Sequence, residues 1–327
     1  MINNLIKYAL ITAIAPIIWG STYLVTTELL PADTPLFASV IRALPAGLLL
    51  LLIGGKLPKG VWWFRAIVLG ALNIGAFFYF LFVAAYHLPG GIAALVMSCQ
   101  PILVLVLGAL LLSQRIKMLQ IAACAVGILG VALLVLKPVE TLDSTGVFAG
   151  LAGALSMAIG IVLTKRWGRP EGVSVLNFTG WQLAVGGLVL LPLAFMHETL
   201  PSTLTLNNWI GYIYLSVFGA VLSYMIWFKG LERLPAISVS FISFASPLTA
   251  TILGYVFLNQ TFNLYQIAGA VAIIAAILMA QPRQAKPTTN AQSDSRKPAG
   301  PTLVTTKGAT IATDPLNQIN IKSTQGN

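Results

Sequence analysis

LPGGIAALVMSCQPILVLVLGALLLSQRIKMLQIA, residues 88–122, aligns without a gap on LPAISVSFISFASPLTATILGYVFLNQTFNLYQIA, residues 234–268. Leu88-Pro89 meets Leu234-Pro235, Pro101 meets Pro247, and Leu107-Gly108 meets Leu253-Gly254. Leu112 then meets Leu258, Gln114 meets Gln260, and Gln120-Ile121-Ala122 meets Gln266-Ile267-Ala268. The chain is written twice. Each copy holds five apolar stretches of spanning length, and an odd number turns the second copy upside down in a bilayer. Inverted repeats of this kind build secondary transporters, whose site lies near the midplane where the halves meet.

Composition fixes the solvent. The chain is 57% hydrophobic and 9% charged, whereas a soluble domain carries about 25% charged residues. The expected fold is an all-α integral membrane protein with spans at 8–28, 35–54, 62–84, 90–112, 118–136, 146–165, 174–195, 209–228, 236–258 and 264–281. Each is near the roughly 20 residues that cross the hydrocarbon layer. Transmembrane strands would read instead as shorter alternating segments. The first stretch is too long for a signal peptide, has no small-residue cleavage site after it, and is read as a retained helix. The first repeat is expected at 1–137 and the second at 146–281, with an acidic loop between. Residues 282–327 are rich in Thr, Pro, Asn and Gln, too polar to bury a core, and are expected to form a disordered cytoplasmic tail. Cys99 and Cys124 fall inside spans as small buried residues, with no disulfide or metal framework.

The net charge of +10 is a topology signal, not a sign of nucleic acid. Lys56, Arg65, Arg115, Lys165, Arg169 and Arg233 fall at one set of span ends, while Glu28, Asp33, Glu140, Asp143 and Glu198 fall at the other. The positive-inside rule then places both termini in the cytoplasm.

Polar and helix-breaking residues inside a bilayer mark a pathway or a packing device. Pro101 and Pro247 are expected to kink their spans and to deprive the carbonyls of Met97 and Ser243 of their helical partners. Ser98, Gln100 and Ser243 sit beside them, and both a packing kink and a substrate site fit that placement. Trp19 and Ser21 lie at the centre of the first span, and Ser156 lies in the matching stretch of the sixth. Trp at a midplane is unusual, because interfacial belts are its ordinary place. Tyr79 and Tyr224 join these as candidates to line the cavity, with Asn73 and Trp181 as further ones. Arg42 is the one charge well inside a span, about two turns from its end, with Gln182 in the equivalent place. Snorkelling, pairing with Glu28, an outer gate and contact with a substrate carboxylate all fit it.

No Asp or Glu lies deep in a span, and the interior is too weakly basic for sugar phosphates. The cargo left is a neutral or zwitterionic small metabolite. There is no H-E-x-x-H, no G-x-S-x-G and no pair of intramembrane aspartates, so neither an enzyme nor a cofactor is called for. A membrane sensor that moves nothing is the alternative in another class. Lipid-facing helices carry no oligomer signal.

With Trp19-Gly20-Ser21, Arg42 and the paired segments ending at Pro101 and Pro247 in hand, the chain resembles the drug/metabolite transporter superfamily, in its ten-span EamA type. The likeness covers about residues 8–281. It implies a bacterial inner-membrane carrier that exports amino acids or related metabolites, with the fifth and tenth spans outside a central cavity. Residues 26–31 and 42–47 also resemble a branch linked with pigment-precursor efflux. The fold does not name the substrate.

Overall fold

The computed structural model describes residues 2–88, 90–135, 143–201, 203–257 and 263–281, all helix, turn and short loop, with no strand among them. The tail expected at 282–327, most of the inter-repeat loop, and Leu258 and Gln260 lie outside the described residues. The first half runs α1 (Ile2–Gly20), α2 (Thr22–Leu29), α3 (Pro35–Gly54), α4 (Trp62–Gly70), a π-helical turn π1 (Ala71–Ala76), α5 (Phe77–His87), α6 (Gly90–Met97), α7 (Gln100–Leu112) and α8 (Met118–Val135). The second runs α9 (Ser144–Trp167), α10 (Val175–His197), α11 (Leu206–Ser216), a second π turn π2 (Val217–Leu222), α12 (Ser223–Arg233), α13 (Ala236–Ile242), α14 (Ala245–Phe257) and α15 (Leu264–Ala280). Taken as continuous rods, eight helical stretches are long and apolar enough to cross a membrane, and α8 and α15 are two shorter apolar helices.

Two helix interruptions fall where the prolines were expected to act. α6 gives way to α7 at Ser98-Cys99, and α13 to α14 at Ser243-Phe244. Pro247 removes the i+4 donor for the Ser243 carbonyl, but that carbonyl is not left free: the Ser246 N–H, one residue closer, donates to it at 3.0 Å. A tighter turn absorbs the missing bond. The nearby hydroxyls also turn back on their own helices, Ser98 onto Leu95 O at 2.6 Å and Ser243 onto Ser240 O at 2.5 Å.

Packing pairs each element with its counterpart. α3 lies along α10, and α8 along α15. α9 packs on α5 and α7, as α1 packs on α12 and α14. Small residues make these approaches close, as in membrane helices generally. A Cβ added at Gly47 would run into the Ala184 backbone, and one at Gly20 would stand 2.5 Å from Ser246 O and 2.7 Å from Thr249 Cβ. Large apolar side chains such as Leu52, Leu110 and Phe148 point outward, more than 70% exposed, the surface that lipid covers.

Acids close the helix ends instead of entering the core. The Glu198 carboxylate accepts the N–H groups of Leu36 at 2.6 Å and Phe37 at 2.8 Å, capping α3 at its positive end. Asp143 caps α9 by accepting Thr145 N–H at 2.7 Å and meets His87 Nδ1 at 2.8 Å. The His87 contact, with the Thr145 amide, holds its carboxyl below the usual range.

Candidate functional site

Two π turns organise the centre of the molecule. An i→i+5 turn carries an extra residue and skews the surrounding carbonyls out of the regular ladder, so they become acceptors for side chains. In π1 the Asn73 carbonyl accepts the Tyr224 hydroxyl at 3.3 Å, and the Leu72 carbonyl accepts Ser156 Oγ at 2.8 Å. In π2 the Gly219 carbonyl accepts two donors, Trp19 Nε1 at 2.9 Å and Arg42 Nη2 at 3.1 Å. Asn73 and Gly219 are separated by the same interval as Leu88 and Leu234. Arg42 and Gln182 likewise hold the same place in their helices, each seven residues after the first of α3 and α10.

Chemically, the two knots differ. Around π1, the Asn73 amide donates to Gln182 Oε1 at 2.8 Å and to Thr164 Oγ1 at 3.1 Å, all in neutral, buried surroundings. Around π2 the central group is a cation. Arg42 is 1% exposed, lies 4.5 Å over the Phe78 ring and reaches Thr22 Oγ1 at 3.5 Å. Among the described residues the ion pairs are His87–Asp143 and Arg169–Glu232, so neither Glu28 nor any other acid faces it. A buried charge without a counter-ion is costly, and inside a membrane it points to function.

A cavity opens where these side chains meet. From the first half Trp19, Thr22, Tyr23, Arg42, Phe77 and Gln100 line it, with Met97 and Ser98 at the α6–α7 break. From the second half come Met157, Trp227, Ser243, Phe244, Ser246 and Pro247. It offers about 80 Å³ to the centre of a water-sized sphere, several times the roughly 10–15 Å³ that one water needs. Trp19 is the pivot of the aromatic wall, its ring 5.0 Å from both Tyr224 and Trp227.

Of the residues singled out from sequence, Trp19, Arg42, Ser98, Gln100, Ser243 and Pro247 come together on this wall. The others stand behind it or away from it. Tyr224 is fully buried beneath Trp19, and Ser156 is spent on π1. Ser21 donates to Ile18 O at 2.7 Å and meets the Tyr214 hydroxyl at 2.8 Å. Tyr79 packs on the Phe80 ring at 5.3 Å, and Pro101 is buried inside α7. Trp181 binds the Lys56 carbonyl at 2.7 Å, and Asn73 belongs to the neutral knot. Neither α8 nor α15 contributes a described residue to the wall. Tyr23, read from sequence with Trp19 as a large face with a polar handle, is on the wall too, whereas Trp227, Phe77 and Phe244 were not singled out. For Trp227 the sequence carried no signal, because the expected span 209–228 put it one residue from a span end, where tryptophan is ordinary.

A profile of the EamA-like transporter family matches residues 6–136 and 144–280, both halves of the chain. This chain belongs to the EamA-like transporter family. Protein PecM of Dickeya dadantii (strain 3937) is 49% identical across 82% of this chain and 90% of the relative. A probable amino-acid metabolite efflux pump of Salmonella typhimurium is 24% identical across 83% of this chain and 93% of its own. A crystal structure of another protein shares the fold at TM-score 0.71 with 18% identity, over 84% of this chain and 96% of that one. As an EamA-like protein the chain is a membrane transporter of small metabolites and not an enzyme.

Proposed function

We propose that this EamA-like protein is an inner-membrane secondary carrier that exports amino acids or related small metabolites by alternating access. Its ten helical stretches are read as ten spans in two inverted repeats, residues 1–137 and 146–281, with both termini and the tail 282–327 in the cytoplasm. The observation that carries this reading is the shared cavity. Trp19, Arg42 and Gln100 reach it from one repeat and Trp227, Ser243 and Pro247 from the other, which is where a rocking pair of repeats keeps its site.

The gating proposed here follows from the charged ends. Lys165 Nζ donates to Leu231 O at 2.7 Å and Leu234 O at 2.9 Å, and Arg169 pairs with Glu232. These bonds tie the end of α9 to the end of α12 on the Lys- and Arg-rich side. Rocking of the repeats would break and remake this latch.

Counterflow in proteoliposomes tests the reading. Vesicles preloaded with one unlabelled amino acid or metabolite each should accumulate the same labelled compound for at least one member of the panel. Gln100→Ala with Ser243→Ala should lower that flux without lowering the amount of folded protein. Normal flux in the double variant would overturn the site, and no flux from folded protein across the panel would overturn the carrier.

A further inference from the structure

Three buried side-chain nitrogens lack any hydrogen-bond partner among the described residues: Arg42 Nε, Gln100 Nε2 and Trp227 Nε1. All three belong to the wall of the one cavity, although they come from α3, α7 and α12. Their residues are 1%, 7% and 0% exposed. The unpartnered buried oxygens belong to other residues, none of which lines it. An unmade buried hydrogen bond costs the desolvation of its group, and the three residues that carry these donors all line one space.

We propose that the transported molecule is a monoanionic carboxylate with a flat apolar body, its carboxylate held by Arg42, Gln100 and Trp227. This deepens the export reading above and rests on it. An ionised carboxylate is acceptor-only, with about four lone-pair positions and no N–H or O–H to clash with donors. Its charge also cancels that of Arg42, which no acid compensates. Arg42 is the one Lys or Arg on the wall, so a single negative charge matches the site better than a phosphate dianion. Trp19, Tyr23, Phe77 and Phe244 face the remainder of the space with ring faces and edges, suited to a planar body.

The same wall discriminates against the positive end of other metabolites. No Asp or Glu among the described residues lines the cavity. A primary ammonium would find no counter-charge there and would meet Arg42. A neutral amide offers one acceptor oxygen, but its own N–H groups then face N–H groups. The carboxylate of an amino acid fits, while its ammonium has no partner, so the deaminated acid should bind at least as well as the zwitterion.

Purified full-length protein titrated by calorimetry with 3-phenylpropionate, 3-phenylpropionamide, L-phenylalanine and 2-phenylethylamine tests this without requiring transport. 3-Phenylpropionate should bind at least tenfold more tightly than the amide, the scale of about one charge-assisted hydrogen bond. It should match or exceed L-phenylalanine, and the amine should not bind. In Arg42→Gln the preference for carboxylate over amide should fall to about onefold, and Arg42→Lys should restore part of it, since Lys keeps the charge without the planar fork. Gln100→Leu, which keeps the cation, should weaken carboxylate binding several-fold and serves if the arginine variants fail to fold. The proposal is overturned if the amine or the amide binds within about threefold of the acid, or if no carboxylate binds, with benzoate and indole-3-acetate included. It is equally overturned if a folded Arg42→Gln protein keeps the preference. Counterflow of the amine would leave the carrier standing and remove this inference, whereas an acid that binds but is never carried would do the reverse.

Discussion

Around π1, the Asn73 amide N–H groups go to Thr164 and Gln182, and Ser156 and Tyr224 take up the skewed carbonyls, with Asn73 Oδ1 left without a partner among the described residues. Around π2, Trp19 and Arg42 share a single carbonyl, and Arg42 keeps an N–H open beside that of Trp227. The two turns sit at equivalent places in the repeat, so the backbone device is common to both and the side chains divide the labour. A neutral network holds helices of opposite halves together. The charged one around π2 leaves an Arg42 N–H without a partner, a group proposed above to bind a guest. At these two equivalent places a few side-chain differences leave one polar centre neutral and the other charged.

The comparison predicts opposite responses to apolar or neutral replacement. Asn73→Leu should destabilise the protein by about 2 kcal/mol, because Gln182 and Thr164 lose a buried partner. Thermal unfolding in detergent should show it, and a melting temperature equal to that of the wild type would refute the structural role given to π1. Arg42→Gln should leave stability unchanged or raise it by about 1 kcal/mol, since it removes an uncompensated buried charge. The same melting assay reads this, and a fall as large as that of Asn73→Leu would make Arg42 glue as well. Trp227→Phe keeps a ring beside Trp19 and deletes only the open N–H. Substrate affinity should drop by up to about 1 kcal/mol, the worth of one hydrogen bond, with melting unaltered. Equal affinity in a binding titration would take Trp227 out of the site. Smallest of all, Ser98→Ala should change counterflow and melting by less than about 0.5 kcal/mol, because its proton is already donated to Leu95 O within its own helix. A loss comparable to that of Gln100→Ala would show that its lone pairs touch the cargo.

Much of the helical layout was legible in the chain because bilayer spans are long and apolar, and their ends are marked. The stretch expected at 35–54 is Pro35–Gly54, opened by proline and closed by Gly55 in the left-handed region. The first stretch, expected at 8–28, lies within helix that begins at Ile2 and ends at Leu29, with a break at Ser21 that the sequence did not announce. Prolines marked the interruptions in α6–α7 and α13–α14, but not how the Ser243 carbonyl is satisfied, which depends on a one-residue shift of hydrogen bonding. The π turns left no trace: ALNIGA (71–76) and VFGAVL (217–222) contain no proline, and their aligned residues differ at every position. Ser156 and Tyr224 were singled out because they are polar in an apolar setting. That property says a partner exists, but not whether the partner is protein or substrate.

From the sequence alone come the solvent, the duplication and the oddness of an arginine inside a span. These follow from composition and spacing, which do not depend on how helices pack. Only the tertiary structure decided which polar residues are spent and which are open. Gly219 O takes up Trp19 and one arm of Arg42, while Arg42 Nε, Gln100 Nε2 and Trp227 Nε1 are left without a partner on residues that line one cavity. The physical reason is that hydrogen-bond satisfaction is a property of pairs. The partners here are up to 200 residues apart along the chain, and their meeting is set by helix packing.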